Sequence, residues 1–429
     1  MGGPVIEEIA HTIKARRSAI DQWYKNRLSD LRGAEPPVYS SVDIRNAGFK
    51  ISVVDTNLFP AGFNNLCETF TDNAVRALKT FLEQRHPDVR RVLILPEEHT
   101  RNLYYWKNVA RLQKIFRNAG VEVLVGSAST LFPDPFTIEI EGEDGRTPLV
   151  VRKIFLKDGF LRTDDFLPDL VLINNDLTTG APSYLRGLRQ VLLPSPDLGW
   201  HRRKKSEHFK YYQMLIDDLS QLLEIDPWLL SPMTTVETDI DMGDTICLKR
   251  LQDAADRLLL RIRQKYLQYG VQREPYLFIK NNSGTYGLGI THIQSGSQLL
   301  SMNRRMKNKL ESSKGGQKVS AYLLQEGIPT ADLYQGKPIE PVVYLVGGEA
   351  IGTFFRIHEE KNDMENLNTP GMSFACLCFH KLDTKKVSNQ LTCENSDALF
   401  AVSSLLGKIA SLASVYELDQ VQTAQRLTA

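Results

Sequence analysis

The sequence predicts an α/β protein built from several packed subdomains, and three observations carry that expectation. At 429 residues the chain exceeds what one small hydrophobic core encloses, so two or three subdomains are expected. The stretch "RRVLILPEEHTRN" (90–102) reads as a buried strand opening into a polar loop, with helical spacing through Asn118 and an apolar strand, "VEVLVGS", after it. That strand–loop–helix–strand order predicts a parallel, Rossmann-like layer, to which "LVVRKIFLKDGF" and "DLVLINNDLT" add strands. The third observation is a run of strand patterns beyond Tyr276, punctuated by glycine turns rather than helices.

The remaining elements follow in order. Ile6 to about Leu31 alternates charged and apolar residues at helical spacing and lacks the apolar core of a secretory leader. "FKISVVDTN" alternates as a strand does, "PAGFNN" reads as a turn, and residues 70–88 look helical. "LLPSPDLGWHRRKKSEHFKYYQMLIDDL" opens on prolines and becomes a basic helix, which sets a subdomain boundary near 195–230. A helix over 250–270 ends on Gly270, a residue suited to the left-handed C-terminal position. "EPVVYLVGGEAIGTFFRIH" is a hairpin turning on Gly347-Gly348, and a last helix runs from about Ser396 to Tyr416.

Composition excludes some function classes. A formal net charge of +1 provides no basic field for nucleic acid or an anionic membrane. No run is read as approaching the roughly 20 apolar residues of a membrane span. A cytoplasmic protein acting on small molecules is expected, and nothing in the sequence excludes a homo-oligomer. The five cysteines (Cys67, Cys247, Cys376, Cys378, Cys393) lack metal-site spacing and read as buried or half-buried thiols, Cys67 on a helix.

The chemistry begins at "YLFIKNNSGTYGLGIT" (276–291), where Lys280 ends an apolar run and a glycine-rich loop follows. A Walker A loop needs its lysine after the glycines, and a dinucleotide fingerprint needs a helix after them. The remaining pattern is strand, lysine, glycine loop, strand: a hairpin that folds over a nucleotide. Ser283, Gly284, Thr285, Gly287 and Gly289 would offer backbone N–H groups to phosphate, and Lys280 a point charge. A glycine hairpin without a ligand is the competing reading. Downstream, "YLLQEGIP" ends an apolar strand in Gln325 and Glu326, suited to lining an adenine. Glu340, Arg356, Asn366 and Asn368 then come in order.

The order and spacing over about 275–371 resemble the ATP-grasp superfamily, in which the arginine and asparagine approach phosphate and acyl phosphate. An ordinary member continues into a strand pair whose Asp and Glu-x-Asn hold Mg²⁺; here no such pair follows the last helix. Asp43 and then Asp55-x-Asn57 occur instead near the N-terminus. Residues 55 and 57 share one side of a strand, so both oxygens can face one hard cation, although the same pair could cap the turn before Pro60. The arrangement resembles a circularly permuted ATP-grasp fold with a Rossmann-like substrate domain, as in eukaryotic-type glutathione synthetases. Nearly all of residues 5–420 further resemble the bacterial glutamate–cysteine ligases of ATP-grasp type. One departure is Gly284, where the permuted synthetases carry a glutamate metal ligand, so the third ligand falls to Glu340 or Asp43.

The resemblance implies ATP and Mg²⁺ as cofactors and glutamate and cysteine as substrates. Lys280 and the loop amides would hold phosphates, Asp55 and Asn57 the Mg²⁺, and Arg356 the transferred group. Arg45, Asn64, Asn65, Glu97, Glu98, Arg101 and Asn102 are candidates for holding the amino-acid ends. It also implies an N-terminal helix (1–35), a metal-strand segment (36–90), a substrate domain (91–200), a nucleotide-binding subdomain (201–335) and a C-terminal core segment (336–429). A ligase for another amine, or a nucleotide-binding protein without catalysis, are the alternatives.

Overall fold

A computed structural model describes residues 5–31, 35–98, 102–130, 133–142, 145–283, 289–311, 319–375 and 393–428. The chain opens with α1 (Val5–Ala15) and α2 (Arg17–Ser29), then pairs β1 (Tyr39–Asn46) with β2 (Ile51–Asn57). Next come α3 (Glu68–Arg85), β3 (Arg91–Pro96), α4 (Leu103–Asn118), β4 (Glu122–Ser127), β5 (Phe136–Gly142) and β6 (Gly145–Lys153). A short ribbon of β7 (Phe155–Lys157) and β8 (Phe160–Arg162) precedes β9 (Leu170–Asn174), β10 (Val191–Leu193) and α5 (Lys205–Leu223). The third stretch holds β11 (Thr234–Glu237), α6 (Thr245–Gln268), β12 (Leu277–Asn281), β13 (Ile290–Ile293), α7 (Ser297–Leu300), α8 (Arg304–Leu310) and β14 (Tyr322–Glu326). The last comprises β15 (Leu333–Tyr334), β16 (Lys337–Val346), β17 (Glu349–His358), β18 (Met372–Ala375) and α9 (Cys393–Thr428).

Three sheets organise these elements. One has the order β10-β9-β3-β4-β6-β5, parallel apart from the β5–β6 hairpin, which is the expected Rossmann-like layer. A second, antiparallel sheet runs β11-β14-β12-β13 and is backed by α6. The third runs β18-β17-β16-β1-β2, so the N-terminal hairpin completes a sheet that the C-terminal strands begin. That closure is what a circular permutation requires: strands more than 280 residues apart in sequence pair because both carry apolar faces that need the same cover.

Alternation along the third sheet separates its two faces. Val42, Ile44, Val343, Leu345, Phe355 and Ile357 pack against α1, α5 and α9. The opposite face carries Val342, Tyr344 and Phe354 under α3, and polar residues beyond them. Gly352 lets the Phe70 ring lie directly on β17, since a Cβ there would stand 2.3 Å from the ring. The turn at Gly347 and Gly348 has positive φ at both residues, 58° and 81°, as the hairpin reading requires.

The structure corrects several sequence readings. The N-terminal helix is two helices that break near Arg16, whose guanidinium turns to Glu224 and the carbonyl of Leu222. Helix α6 begins at Thr245, capped by Asp244, and Gly270 takes its left-handed role at φ 66°. Cys67 is disulfide-bonded and stands at the N-cap of α3, whereas Cys247 is free and half-buried; Cys376 and Cys378 lie outside the described residues. Helix α9 meets the length and hydropathy of a membrane span over residues 397–426, against the expectation of none. Of its most apolar window 78% is buried inside the protein, because it faces the third sheet on one side and α1 and α5 on others.

One buried ion pair ties the second sheet to the third. Lys50, in the β1–β2 turn, donates to Glu326 of β14 at 2.9 Å, and both side chains are 0% exposed. Glu326 also accepts from Trp228 Nε1 and the Met233 amide. Lys50→Met leaves that carboxylate without its counter-charge and should cost about 3–5 kcal/mol in chemical denaturation. Adding Glu326→Gln should recover part of the loss; a double variant less stable than Lys50→Met would refute a stranded charge as the cause.

Candidate active site

Register places the polar residues of the third sheet on one face. In an antiparallel pair, directly opposed residues share a face, and Asp43 opposes Asp55 while Glu340 opposes Arg356. On the second sheet Lys280 opposes Leu323 and Phe278 opposes Gln325, so these four also share a face. The two faces look at one another: Lys280 Nζ donates to the Val54 carbonyl at 2.8 Å, and the Arg45 guanidinium lies 5.7 Å from the Phe278 ring centre. A cleft between two antiparallel sheets therefore joins segments 226 residues apart in sequence.

Two lysines converge on Asp55. Lys205, in the first turn of α5, is 2.6 Å from its Oδ1, and Lys280 acts on it from the facing sheet. Burial favours the neutral acid, but the two ammonium groups outweigh it and hold the Asp55 carboxyl down at about 2. The same burial pushes Lys280 down to about 8, with Asp55 opposing the shift. The chain around Lys205 is fixed by the end of β12, where the Lys205 amide donates to the Asn282 carbonyl and the Ser206 amide to its side chain. Lys204 reaches Ser283 Oγ at 2.7 Å.

A second charged group spans β1, β16 and β17. Glu340 accepts from Arg45 Nε at 2.9 Å and from Arg356 Nη1, and Arg356 also donates to both oxygens of Asp43. Burial alone would raise Glu340, but the two arginines hold it below the usual carboxylate range. Burial pushes Asp43 up, against Arg356. Arg356 Nε is buried without a partner.

These contacts correct some sequence assignments. Glu340 is a poor third metal ligand, because guanidinium groups take both of its oxygens. Arg45 is no substrate clamp: it is 2% exposed and donates to Glu340 and to the carbonyls of Ile328 and Glu365, which seats the loop bearing Asn366 and Asn368. Within that loop Asn366 Oδ1 accepts from the Asn368 amide. The Glu326 side chain is spent on Lys50 and Trp228, whereas the Gln325 carboxamide is fully buried with both polar atoms unpartnered on the Lys280 face. Asn57 Oδ1 accepts from the Phe59 amide, the turn-capping bond, and keeps a second lone pair.

The substrate candidates are dispersed. Glu97 and Glu98 follow β3 at its C-terminal end, where Glu98 accepts from Tyr184. Asn102 caps α4, its side-chain oxygen accepting from the Tyr104 amide. Asn64 and Asn65 sit in a 3-10 turn, and Asn64 lines an open groove of about 800 Å³ between α4 and the β5–β6 hairpin. Gly284, Thr285, Gly287 and Arg101 lie outside the described residues, while Gly289 turns the chain into β13 at φ 64°. Sequence reasoning missed Lys205 and Arg203, although "HRRKKSEHF" has four consecutive basic residues before a helix.

Lys280→Ala should lower turnover by roughly 10²-fold, about 3 kcal/mol, the scale of one electrostatic partner in a dry site. Unaltered kinetics in a variant with native circular dichroism would remove Lys280 from the chemistry.

The family described as glutamate-cysteine ligase (GshA) matches residues 10–418. A crystal structure from Methylobacillus flagellatus KT, provisionally named gamma-glutamylcysteine synthetase, is 34% identical with a TM-score of 0.85, covering 98% of this chain and 97% of its own. D-alanyl-alanine synthetase A from Vibrio cholerae (TM-score 0.36, 11% identity, 74% of this chain and 80% of that one) is too distant to carry weight. The same holds for a glutathione synthetase-like effector from Globodera pallida (TM-score 0.39, 8% identity, 87% and 84%). No curated protein matches the chain. With a family match over residues 10–418, the chain belongs to the glutamate–cysteine ligase family.

Proposed function

We propose that the cleft between the two antiparallel sheets binds ATP and activates the γ-carboxylate of L-glutamate for attack by the amine of L-cysteine. The observation that carries this reading is the convergence of Lys205 and Lys280 on the Asp55 end of β2. Arg45, Arg203, Lys205, Lys280 and Arg356 outnumber the carboxylates of Asp43, Asp55, Glu340 and Glu417, so the cleft is left with positive charge. A polyphosphate satisfies that excess.

Mg²⁺ fits the residues present. Among the described residues no group of three or more His, Cys, Asp or Glu encloses a cation. Mg²⁺ needs no such cluster, since it takes one or two protein carboxylates and completes its shell with phosphate and water. Asp55 and the second lone pair of Asn57 would hold it; when bound, it screens phosphate charge along the reaction path.

Each residue then has a task. Lys280 and Lys205 fix the phosphates, and Gln325 presents both halves of its carboxamide to the base. Arg356, braced by Asp43 and Glu340, turns its unpartnered Nε toward the transferred phosphoryl group. Glutamate oxygen attacks the γ-phosphorus and ADP leaves; the cysteine nitrogen then attacks the acyl carbon, and phosphate leaves with the C–O bond. The proton that the amine loses in that step goes to the departing phosphate. No protein nucleophile is required, so catalysis rests on positioning and charge. Glu97 and Glu98 lie where ligands of parallel sheets gather, beyond the strand C-termini, and suit a substrate α-ammonium.

ADP release separates the possible substrates. Glutamate with cysteine should support it, while either alone, or γ-glutamylcysteine with glycine, should give little. Release only with the last pair would assign the chain to a later ligation. In the same assay Asp55→Asn should collapse activity and raise the Mg²⁺ requirement; ordinary Mg²⁺ dependence would put the metal elsewhere.

A further inference from the structure

We infer that Glu417, on α9, and Arg203, just ahead of α5, form a positioning strut that holds the Asp55 end of β2 in register with the facing sheet. The inference rests on the reading of Asp55 as the carboxylate that meets the nucleotide's cation. Neither Glu417 nor Arg203 touches the reacting atoms.

The strut is built from directional bonds. Glu417 Oε2 accepts from Arg203 Nε at 2.8 Å and Oε1 from Nη2 at 3.1 Å, a two-pronged fork between buried groups. The remaining guanidinium nitrogen, Nη1, donates to the Thr56 carbonyl at 2.6 Å. Thr56 lies between Asp55 and Asn57, so the far end of the fork grips the backbone from which both candidate ligands project. His208 Nδ1 stands 2.5 Å from Glu417 Oε1 and fixes the carboxylate from its other side.

The same turn of chain delivers Lys205. The Trp200 ring lies 5.0 Å from the Arg203 guanidinium and 4.5 Å from Lys205 Nζ, one aromatic platform under both cations. The Lys205 amide is tied to Asn282 at the end of β12. Residues 200–205 are thus anchored to α9 on one side and to the lysine-bearing sheet on the other. From there they aim one cation at the Thr56 carbonyl and one at the Asp55 carboxylate.

Stability alone is a weak reason for this arrangement. Buried ion pairs seldom hold a helix better than apolar contacts do, and α9 already buries Leu399, Val402, Leu406, Ile409 and Leu412. A planar fork does what apolar packing cannot: it sets the direction of the third N–H bond. Strut residues of this kind change metal affinity by about 10- to 100-fold when removed.

The test uses Glu417→Gln, Arg203→Lys and the double variant in the full chain. Hydrogen exchange across residues 51–60, without nucleotide or metal, should accelerate in both single variants. The Mg²⁺ concentration for half-maximal ADP release should rise about 10-fold, with KM for glutamate and cysteine within about twofold. The double variant should be no worse than either single one, because the two residues form one unit. Lower melting temperature with unchanged exchange and Mg²⁺ dependence, or fully additive losses, would overturn the strut. Asp55→Asn in parallel separates the two levels: if it alone shifts the Mg²⁺ requirement, the strut fails, and if neither shifts it, the reading of Asp55 fails.

Discussion

Everything at the candidate site depends on keeping two ammonium groups together in a half-buried cleft. Lys205 comes from the first turn of α5 and Lys280 from β12 of the second sheet, and their charges would repel one another without an anion between them. Asp55 is that anion. Because it bonds Lys205 and sits beside Lys280, it holds the third sheet against α5 and the second sheet through charge. The resulting geometry leaves the lysines paired to less negative charge than they carry, and the proposed phosphate site rests on that excess.

The neighbouring group of Asp43, Glu340, Arg45 and Arg356 works differently. Its charges alternate and nearly all its bonds close internally. A closed network of this sort is a rigid platform, since moving one member strands another in a medium of low dielectric. Arg356 departs from closure by one nitrogen, and Arg45 extends the platform to the loop at 363–368. A wide polar surface thus reduces to few groups that are free to meet a ligand.

Helix α9 connects these parts to the fold. By composition it passes for a membrane span, yet its neighbours are a sheet face and two helices. Serines at 403, 411 and 414 and Gly407 keep its surface narrow enough to lie close on Val343 and Leu345. Hydropathy counts apolar side chains without asking what covers them, so a central core helix and a lipid-facing one give the same signal.

The sequence by itself determined the element types and the strand that carries Lys280. The period-2 alternation of 49–57 and 340–358, the Gly347-Gly348 turn and the β-α-β order of the parallel layer are local patterns, set by how neighbouring residues share a face or a dihedral. Resemblance then linked "VVDTN" at one end to "YLFIKNNSGTYGLGIT" far downstream, and their contact is present at Val54 and Lys280. What only the tertiary structure decided is which charged side chains are already spent. Arg45, Glu326, Glu340 and Asn102 look as available in the sequence as Lys280 does, and Lys205 looks like one more cation in a basic run. Their fates are set by partners 2 to 320 residues away. No spacing rule reports such pairings, because a buried charge takes whichever counter-charge the packed sheets bring within reach.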